Sequence, residues 1–410
     1  MNNRCNDDST EWISECNDSR FAMGCNDDDL AMERNERKQQ ANEHDVDQLI
    51  EHDIDQWIEH EVDQSMMGSR NADEIDDPRI PVTIVTGFLG AGKTTLLNHL
   101  LTSDHGQKIA VIVNEFGEVG IDHELIIGAE DEIIEMNNGC ICCTVRGDLV
   151  KIALQLLDRK FGMNERAYHF DRIVIETTGL ADPGPVIQTF LAEDLLAQFF
   201  KMDAVITLVD ACHAHLHLHQ GPEAQAQIAF ADILLLNKSD LVNMEQLTAL
   251  EARLRHMNVS APIYHTCQST LDIRYVLDVN AFDLSHKLDI RPNLLHAHHH
   301  HHHHEDHVRS IVLQDERPMH LQKINQFMDE WLINHAEDTY RYKGIIHVDQ
   351  VDRRVVFQGV HMMLGINTDR NWRDDELRLT RIVIIGKNLD EVWFQQRFAD
   401  CIAESTESAL

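Results

Sequence analysis

The chain has 410 residues, more than the roughly 250 to 300 that one hydrophobic core usually serves, so two folded units are expected. Its 70 acidic and 35 basic residues give a formal charge of −35, which excludes sequence-independent attraction to nucleic acid or an anionic membrane and favours cationic partners, metal ions included. Nine cysteines, an odd number, with no secretory leader pattern before them, read as reduced thiols of a cytoplasmic protein, and no apolar run reaches the roughly 18 residues of a membrane span.

Residues 1–79 hold 23 acidic and 7 basic residues, a net charge of −16, and such a composition cannot bury a core by itself. The segment is therefore expected to be a disordered acidic extension. Within it an octad recurs three times, as EHDVDQLI from Glu43, EHDIDQWI from Glu51 and EHEVDQSM from Glu59. Eight residues advance a helix by about 80°, so Val46, Ile54 and Val62 spiral around the axis instead of forming a stripe. Cys5, Cys16 and Cys25, each followed by Asn-Asp, and His44, His52 and His60 read as parts of this tail rather than as a metal-acquisition region.

From Ile80 the texture changes to short apolar runs alternating with helical periodicity, the pattern of an α/β fold with a mostly parallel sheet. Strands are expected at 81–86, 108–113, 170–176, 203–209, 232–236 and 262–265, within a first domain spanning 80–290. Residues 291–307, with His296, His298 to His304 and His307, form a histidine-rich linker. A smaller second domain follows over 308–404, with strands at 308–313, 342–348, 354–360 and 380–386 and helices at 319–335 and 389–403. That order predicts an α+β unit with helices on one face of an antiparallel sheet.

The string Gly87-Phe-Leu-Gly-Ala-Gly-Lys-Thr94 matches G-x4-G-K-[ST] between the strand PVTIVT and the helical TLLNHLL. Backbone N–H groups around Gly87, Gly90 and Gly92, with the helix N-terminus, would cradle phosphates. Lys93 would reach the β and γ phosphates and Thr94 would ligate Mg²⁺, with Thr95 counted among the nucleotide-binding residues. After the apolar strand DILLL, Asn237-Lys238-Ser-Asp240 places a carboxylate that can accept from the guanine N1 and N2 donors, a pairing adenine does not offer. GTP is thus the expected nucleotide. Glu176, at the end of DRIVIE, is a candidate for the Mg²⁺ shell, and Gly179 just beyond it for sensing the γ-phosphate. No glutamine is obviously placed to orient a water, which predicts slow intrinsic hydrolysis, stimulated by a partner.

Cys140-Ile-Cys142-Cys143 offers thiolates from a tight turn that suit Zn²⁺ or Cu⁺ better than a local disulfide. Three thiolates leave a tetrahedral site one ligand short, an arrangement suited to transfer. Three buried, inert thiols are the alternative. In the histidine tract His298, His300 and His302 are candidate ligands for weak, exchangeable binding that identifies no metal. His213, His215, His217 and His219 would share one face if extended, whereas on a helix His213 and His217 are neighbours; His213 is taken as a candidate ligand, against a reading as surface histidines.

The strings TGFLGAGKTTLLNHLL, NEFGEVGID, NNGCICCTVRGDL, ETTGLADPGPVIQTF, NKSD, YRYKGIIHV and VFQGV together resemble the CobW-type GTPases, the family that includes the zinc-regulated GTPase metalloprotein activators, over about residues 80–404. The resemblance implies a P-loop GTPase domain joined to a CobW C-terminal domain. It also implies Cys140, Cys142 and Cys143 as metal ligands coupled to GTP, with Glu115, Glu118 and Asp122 as candidates for a switch and a metal shell. GTP-dependent delivery of zinc, with cobalt next, to a client metalloenzyme is the implied activity. The acidic N-terminus has no counterpart in the core family pattern, and Val113 stands where some relatives carry an acid. Two other readings stay open: a metal buffer with incidental GTPase activity, and a GTP-regulated protein-binding switch with structural zinc. A homo-oligomer is left open as well.

Overall fold

The computed structural model describes residues 77–114, 133–136, 144–161, 169–282 and 307–403. The octad repeats, Glu115, Glu118, Asp122, Cys140, Cys142, Cys143 and the tract containing His298, His300 and His302 lie outside the described residues.

The first unit runs β1 (Ile80–Gly87), α1 (Lys93–Thr102), β2 (Ile109–Asn114), β3 (Ile133–Met136), α2 (Thr144–Phe161), β4 (Arg172–Glu176), α3 (Gly184–Ala192), α4 (Asp194–Phe199), β5 (Phe200–Asp210), α5 (Ala214–Gln220), α6 (Pro222–Phe230), β6 (Ile233–Asn237), α7 (Met244–Met257) and β7 (Ile263–His265). Its strands pair in parallel in the order β3-β2-β4-β1-β5-β6-β7. Helices cover both faces, so β1, β4, β5 and β6 read as nearly unbroken apolar runs, not as alternating ones. On one face Leu96, Leu97 and Leu100 of α1 pack on Val85, Val111, Val174 and Ile206. Because β1 lies at the centre, with β2, β3 and β4 to one side and β5, β6 and β7 to the other, the crevice beyond its carboxyl end falls where strand order switches direction.

The second unit runs β8 (Val308–Asp315), α8 (Leu321–His335), β9 (Thr339–Ile346), β10 (Arg353–Val360), β11 (Met363–Asn371), β12 (Thr380–Lys387) and α9 (Glu391–Asp400). It is a five-stranded antiparallel sheet in the order β11-β10-β9-β12-β8. As expected, α8 and α9 cover one face, where Phe327, Trp331 and Phe394 pack on Ile382 and Ile384. The other face meets the first unit: Val308, Val383 and Ile385 join Ala224, Ile228, Leu234 and Leu254 in a single apolar cluster. Strand β12 thus serves two cores by strict alternation.

A buried ion cluster fastens the same junction. Asp232 accepts from Arg341 at 3.1 Å and Lys343 at 2.7 Å, and its second oxygen accepts from the Val205 N–H at 3.0 Å. Burial works to raise the Asp232 carboxyl, but Lys343 and Arg341 outweigh it and hold it below the usual range. The Arg341 guanidinium also lies 3.8 Å from the centre of the Phe282 ring.

Three differences from the sequence expectations have physical causes. Strand β9 begins at Thr339 rather than 342, because Arg341, polar by type, is buried against Asp232. The unforeseen β11 carries little apolar alternation and is held by its hairpin pairing with β10 at the sheet edge. The unforeseen β3 has only four residues, too few for a period to show.

Candidate nucleotide site and its histidine helix

β1 delivers the chain to the loop at Gly87, and α1 starts at Lys93 with Gly92 as its N-cap. Gly92 has φ 107°, and a Cβ there would meet Asn237 Nδ2 at 2.4 Å and Ser269 Oγ at 2.7 Å. Only glycine allows the loop to lie this close to the end of β6. The Lys93 ammonium is buried and donates to the Gly87 carbonyl at 2.9 Å, while Thr95 is exposed in the first turn of the helix. Thr94 Oγ1 stands 3.5 Å from Glu176 Oε1 at the end of β4.

Beyond Glu176, Thr177 donates to Thr86 Oγ1 at 2.7 Å, which ties this segment to β1. A Cβ on Gly179 would meet the Leu89 N–H nitrogen at 2.7 Å, so the segment lies directly on the glycine-rich loop. Gln227 of α6, absent from the sequence expectations, donates to the carbonyls of Gly179 at 3.2 Å and Ala181 at 3.0 Å. Three residues further, the Asp182 carboxylate accepts from the Gly184 N–H at 2.8 Å, and burial pushes its pKa up. Burial pushes the imidazole of His361, from the β10–β11 turn, down; both side chains lie within 3.3 Å of the point a Gly184 Cβ would occupy.

At the end of β6, Asn237 is the hub. Its Nδ2 donates to Ala91 O and Ser269 Oγ, each at 2.9 Å, and its Oδ1 accepts from Ser269 N at 2.9 Å and Thr266 Oγ1 at 3.1 Å. Ser269 Oγ in turn donates to the Gly92 carbonyl at 3.0 Å. Asp240 is exposed, and its hydrogen bond with the Cys267 thiol pushes that thiol up. Lys238, with φ 59°, donates to Asp210 Oδ2 at 2.7 Å. Asp210 and Ser269 were missed in the sequence; an acid closing an apolar strand, as Glu176 does, was the available signal for Asp210.

His213 to His219 are not extended: Ala214–Gln220 is helical, and the alternating histidines fall on different faces. The His213 ring bonds Asp210 Oδ2 at 3.0 Å through Nδ1, and the His217 ring packs 4.2 Å from Phe88 of the glycine-rich loop. Burial works to raise Asp210, but bonds from Lys238 and His213 hold it below the usual carboxylate range. Burial lowers His217. Among the described residues no group of three or more His, Cys, Asp or Glu side chains is set to hold a metal ion, and no helix is long and apolar enough to cross a membrane.

Residues 81–265 match the CobW/HypB/UreG nucleotide-binding domain, and residues 308–402 match the cobalamin synthesis protein cobW C-terminal domain. Zinc chaperone YjiA of Escherichia coli K12 is 39% identical over 320 residues, covering 78% of this chain and 98% of YjiA. Zinc-regulated GTPase metalloprotein activator 1 of Schizosaccharomyces pombe is 32% identical over 365 residues, covering 78% of this chain and 85% of that protein. The crystal structure of Zn(II)-bound YjiA GTPase from Escherichia coli superposes with a TM-score of 0.64 at 33% identity, covering 79% of this chain and 99% of that one.

Proposed function

The chain belongs to the CobW family, in which a CobW/HypB/UreG nucleotide-binding domain precedes a CobW C-terminal domain, and on that premise we propose that it is a GTP-hydrolysing metallochaperone that carries zinc. The observation that carries the reading is the convergence, at the carboxyl ends of β1, β4 and β6, of the glycine-rich loop, Glu176 and the Asn237–Asp240 segment, with Asn237 bonded to the loop. In this reading the loop N–H groups around Gly87, Gly90 and Gly92 receive the phosphates and the Lys93 ammonium neutralises them. Asp240 reads the guanine edge, Lys238 flanks the base, and Asn237 keeps loop and base strand in register.

The Thr94 hydroxyl and Glu176 carboxylate, 3.5 Å apart, are hard oxygen donors of the kind Mg²⁺ takes, and they fit its site. Bound there, Mg²⁺ would supply charge neutralisation to the transferring phosphate. Gly179, which rests on Leu89 and accepts from Gln227, reports the γ-phosphate to α6 in this reading. Cys140, Cys142 and Cys143 take the zinc as cargo, and Glu115, Glu118 and Asp122 connect that site to nucleotide state. Zinc passes from there to a client metalloenzyme.

The test is to titrate Zn²⁺ and Co²⁺ against a competing chelator, with Mg²⁺ and either GDP or a non-hydrolysable GTP analogue. Tighter zinc binding with the analogue, abolished by Cys140→Ala with Cys142→Ala, is expected. Equal affinity in both nucleotide states removes the chaperone mechanism. Deleting residues 296–307 should spare the tight site, whereas a buffer would lose most of its capacity.

A further inference from the structure

Helix α5 has no part in the scheme above, yet it touches both walls of the nucleotide site. Its first turn places the His213 and His217 rings as neighbours, with centroids 6.1 Å apart and planes inclined by 30°. Two imidazoles on one zinc ion, at Zn–N distances of about 2.0–2.1 Å, stand with ring centres roughly 5 to 6 Å apart, close to the separation of this pair.

The His213 ring is already oriented for such a role. Asp210 is held as a carboxylate and can only accept, so the 3.0 Å bond to it requires the proton on Nδ1. In the neutral ring that leaves the Nε2 lone pair for a metal, with Asp210 as the outer carboxylate that fixes the ligand's tautomer. The ring is more than half exposed, at 57%, and so is reachable from solvent.

Each ring is also attached to a different wall of the nucleotide site. The Asp210 oxygen that holds His213 is the one that accepts from Lys238, beside the base-reading Asp240. The His217 ring, half-buried, lies against Phe88 of the glycine-rich loop, and Phe88 packs against the α5–α6 cluster. His215 and His219 repeat the same spacing on an exposed part of the helix.

We propose that His213 and His217 form a two-imidazole clamp for a divalent ion of the zinc class, and that an ion held there slows release of guanine nucleotide. The proposal rests on the reading that the chain binds guanine nucleotide. The ion would join the base wall, through His213, Asp210 and Lys238, to the phosphate wall, through His217 and Phe88. Parting the walls to release nucleotide would then break a coordinate bond. With two protein ligands and water completing the shell, the ion is exchangeable, as a sensor of free metal requires. Coupling between ligand sites is typically worth 5- to 150-fold in affinity, that is about 5-fold or more in release rate if binding is unaltered.

The experiment uses the full chain carrying Cys140→Ser, Cys142→Ser and Cys143→Ser, loaded with a fluorescent GDP analogue and Mg²⁺. Release is followed after a chase with excess GDP, with and without Zn²⁺, and the readout is the ratio of the two rates within each variant. The expected result is release slowed about 5-fold or more by Zn²⁺ in this background, with the ratio returning to about 1 when either His213→Gln or His217→Gln is added. The two substitutions lie on differently exposed rings, so a folding defect in one leaves the other to decide. Persistence of the zinc effect in both histidine variants, which retain the histidine tract, would overturn the proposal. A zinc effect present in the unaltered chain and absent from the cysteine variant would also overturn it, while leaving the proposed function standing. A chain that binds no guanine nucleotide would overturn both.

Discussion

Replacing Gly92 by alanine tests whether the glycine-rich loop is shaped by contact with the base-side strand. Two costs add at this position. An L-residue at the positive φ of 107° carries about 1–2 kcal/mol of backbone strain. The new methyl would also stand 2.4 Å from Asn237 Nδ2 and 2.7 Å from Ser269 Oγ, and both side chains would have to move. Movement breaks the Asn237 bonds to Ala91 O and Ser269 Oγ, each worth about 0.5–1.5 kcal/mol net. Together these give about 2–5 kcal/mol, or a loss of roughly 30- to 4,000-fold in affinity for a guanine nucleotide if the cost falls on the bound state. Gly90→Ala is the control, because Gly90 also has positive φ, 74°, but a Cβ there meets nothing within 4 Å. Strain alone then predicts a loss of roughly 5- to 30-fold. Equilibrium titration of both variants with a fluorescent GDP analogue measures the difference, with circular dichroism melts to confirm folding. Equal losses in the two variants would refute the argument, since the contact with Asn237 would then contribute nothing.

Three further outcomes follow from the geometry. Asn237→Ala removes four hydrogen bonds and is expected to lower unfolding free energy by about 2–6 kcal/mol in urea titrations, in the nucleotide-free chain as well. Asp232→Asn leaves Arg341 and Lys343 buried without their counter-charge and should cost about 3–5 kcal/mol by the same measurement; a loss under about 1 kcal/mol would show that the cluster is relaxed by water. Burial depresses His361, so its contribution to stability is complete above the ordinary histidine value of 6.5 and is lost as pH falls through the depressed folded value. Asp182, facing it, is raised by burial, so its contribution runs the other way, at the acid end. Thermal melts between about pH 7.5 and 5 should therefore fall less steeply for His361→Gln than for the unaltered chain.

The parallel sheet was legible because its strands are buried on both faces and stand out as apolar runs against acidic surroundings. The nucleotide loop was legible for a different reason: phosphate binding needs glycine, lysine and threonine at fixed spacing, and that spacing is local in the chain. Contacts that depend on remote partners left no such mark. Gln227 reads as one more polar residue of a helix until α6 is seen to be buried all round, with its amide turned to Gly179 and Ala181. Ser269 sits after a three-residue strand, in a turn whose role is set by Asn237, 32 positions earlier. Arg341 and Lys343 look like solvated charges, and Asp232 makes them interior ones. For the histidines of α5 the alternation left strand and helix both open, and Ala214 and Leu218, buried four residues apart, decide for the helix on which His213 and His217 are neighbours.

The division of β12 between two cores bears on how such a protein can be cut, fused or inherited. A fragment ending before residue 308 would uncover Ala224 and Ile228 and leave Asp232 facing water without either cation. The nucleotide half is therefore no transplantable module, and gene fission between the halves would demand that the pieces find each other as an obligate pair.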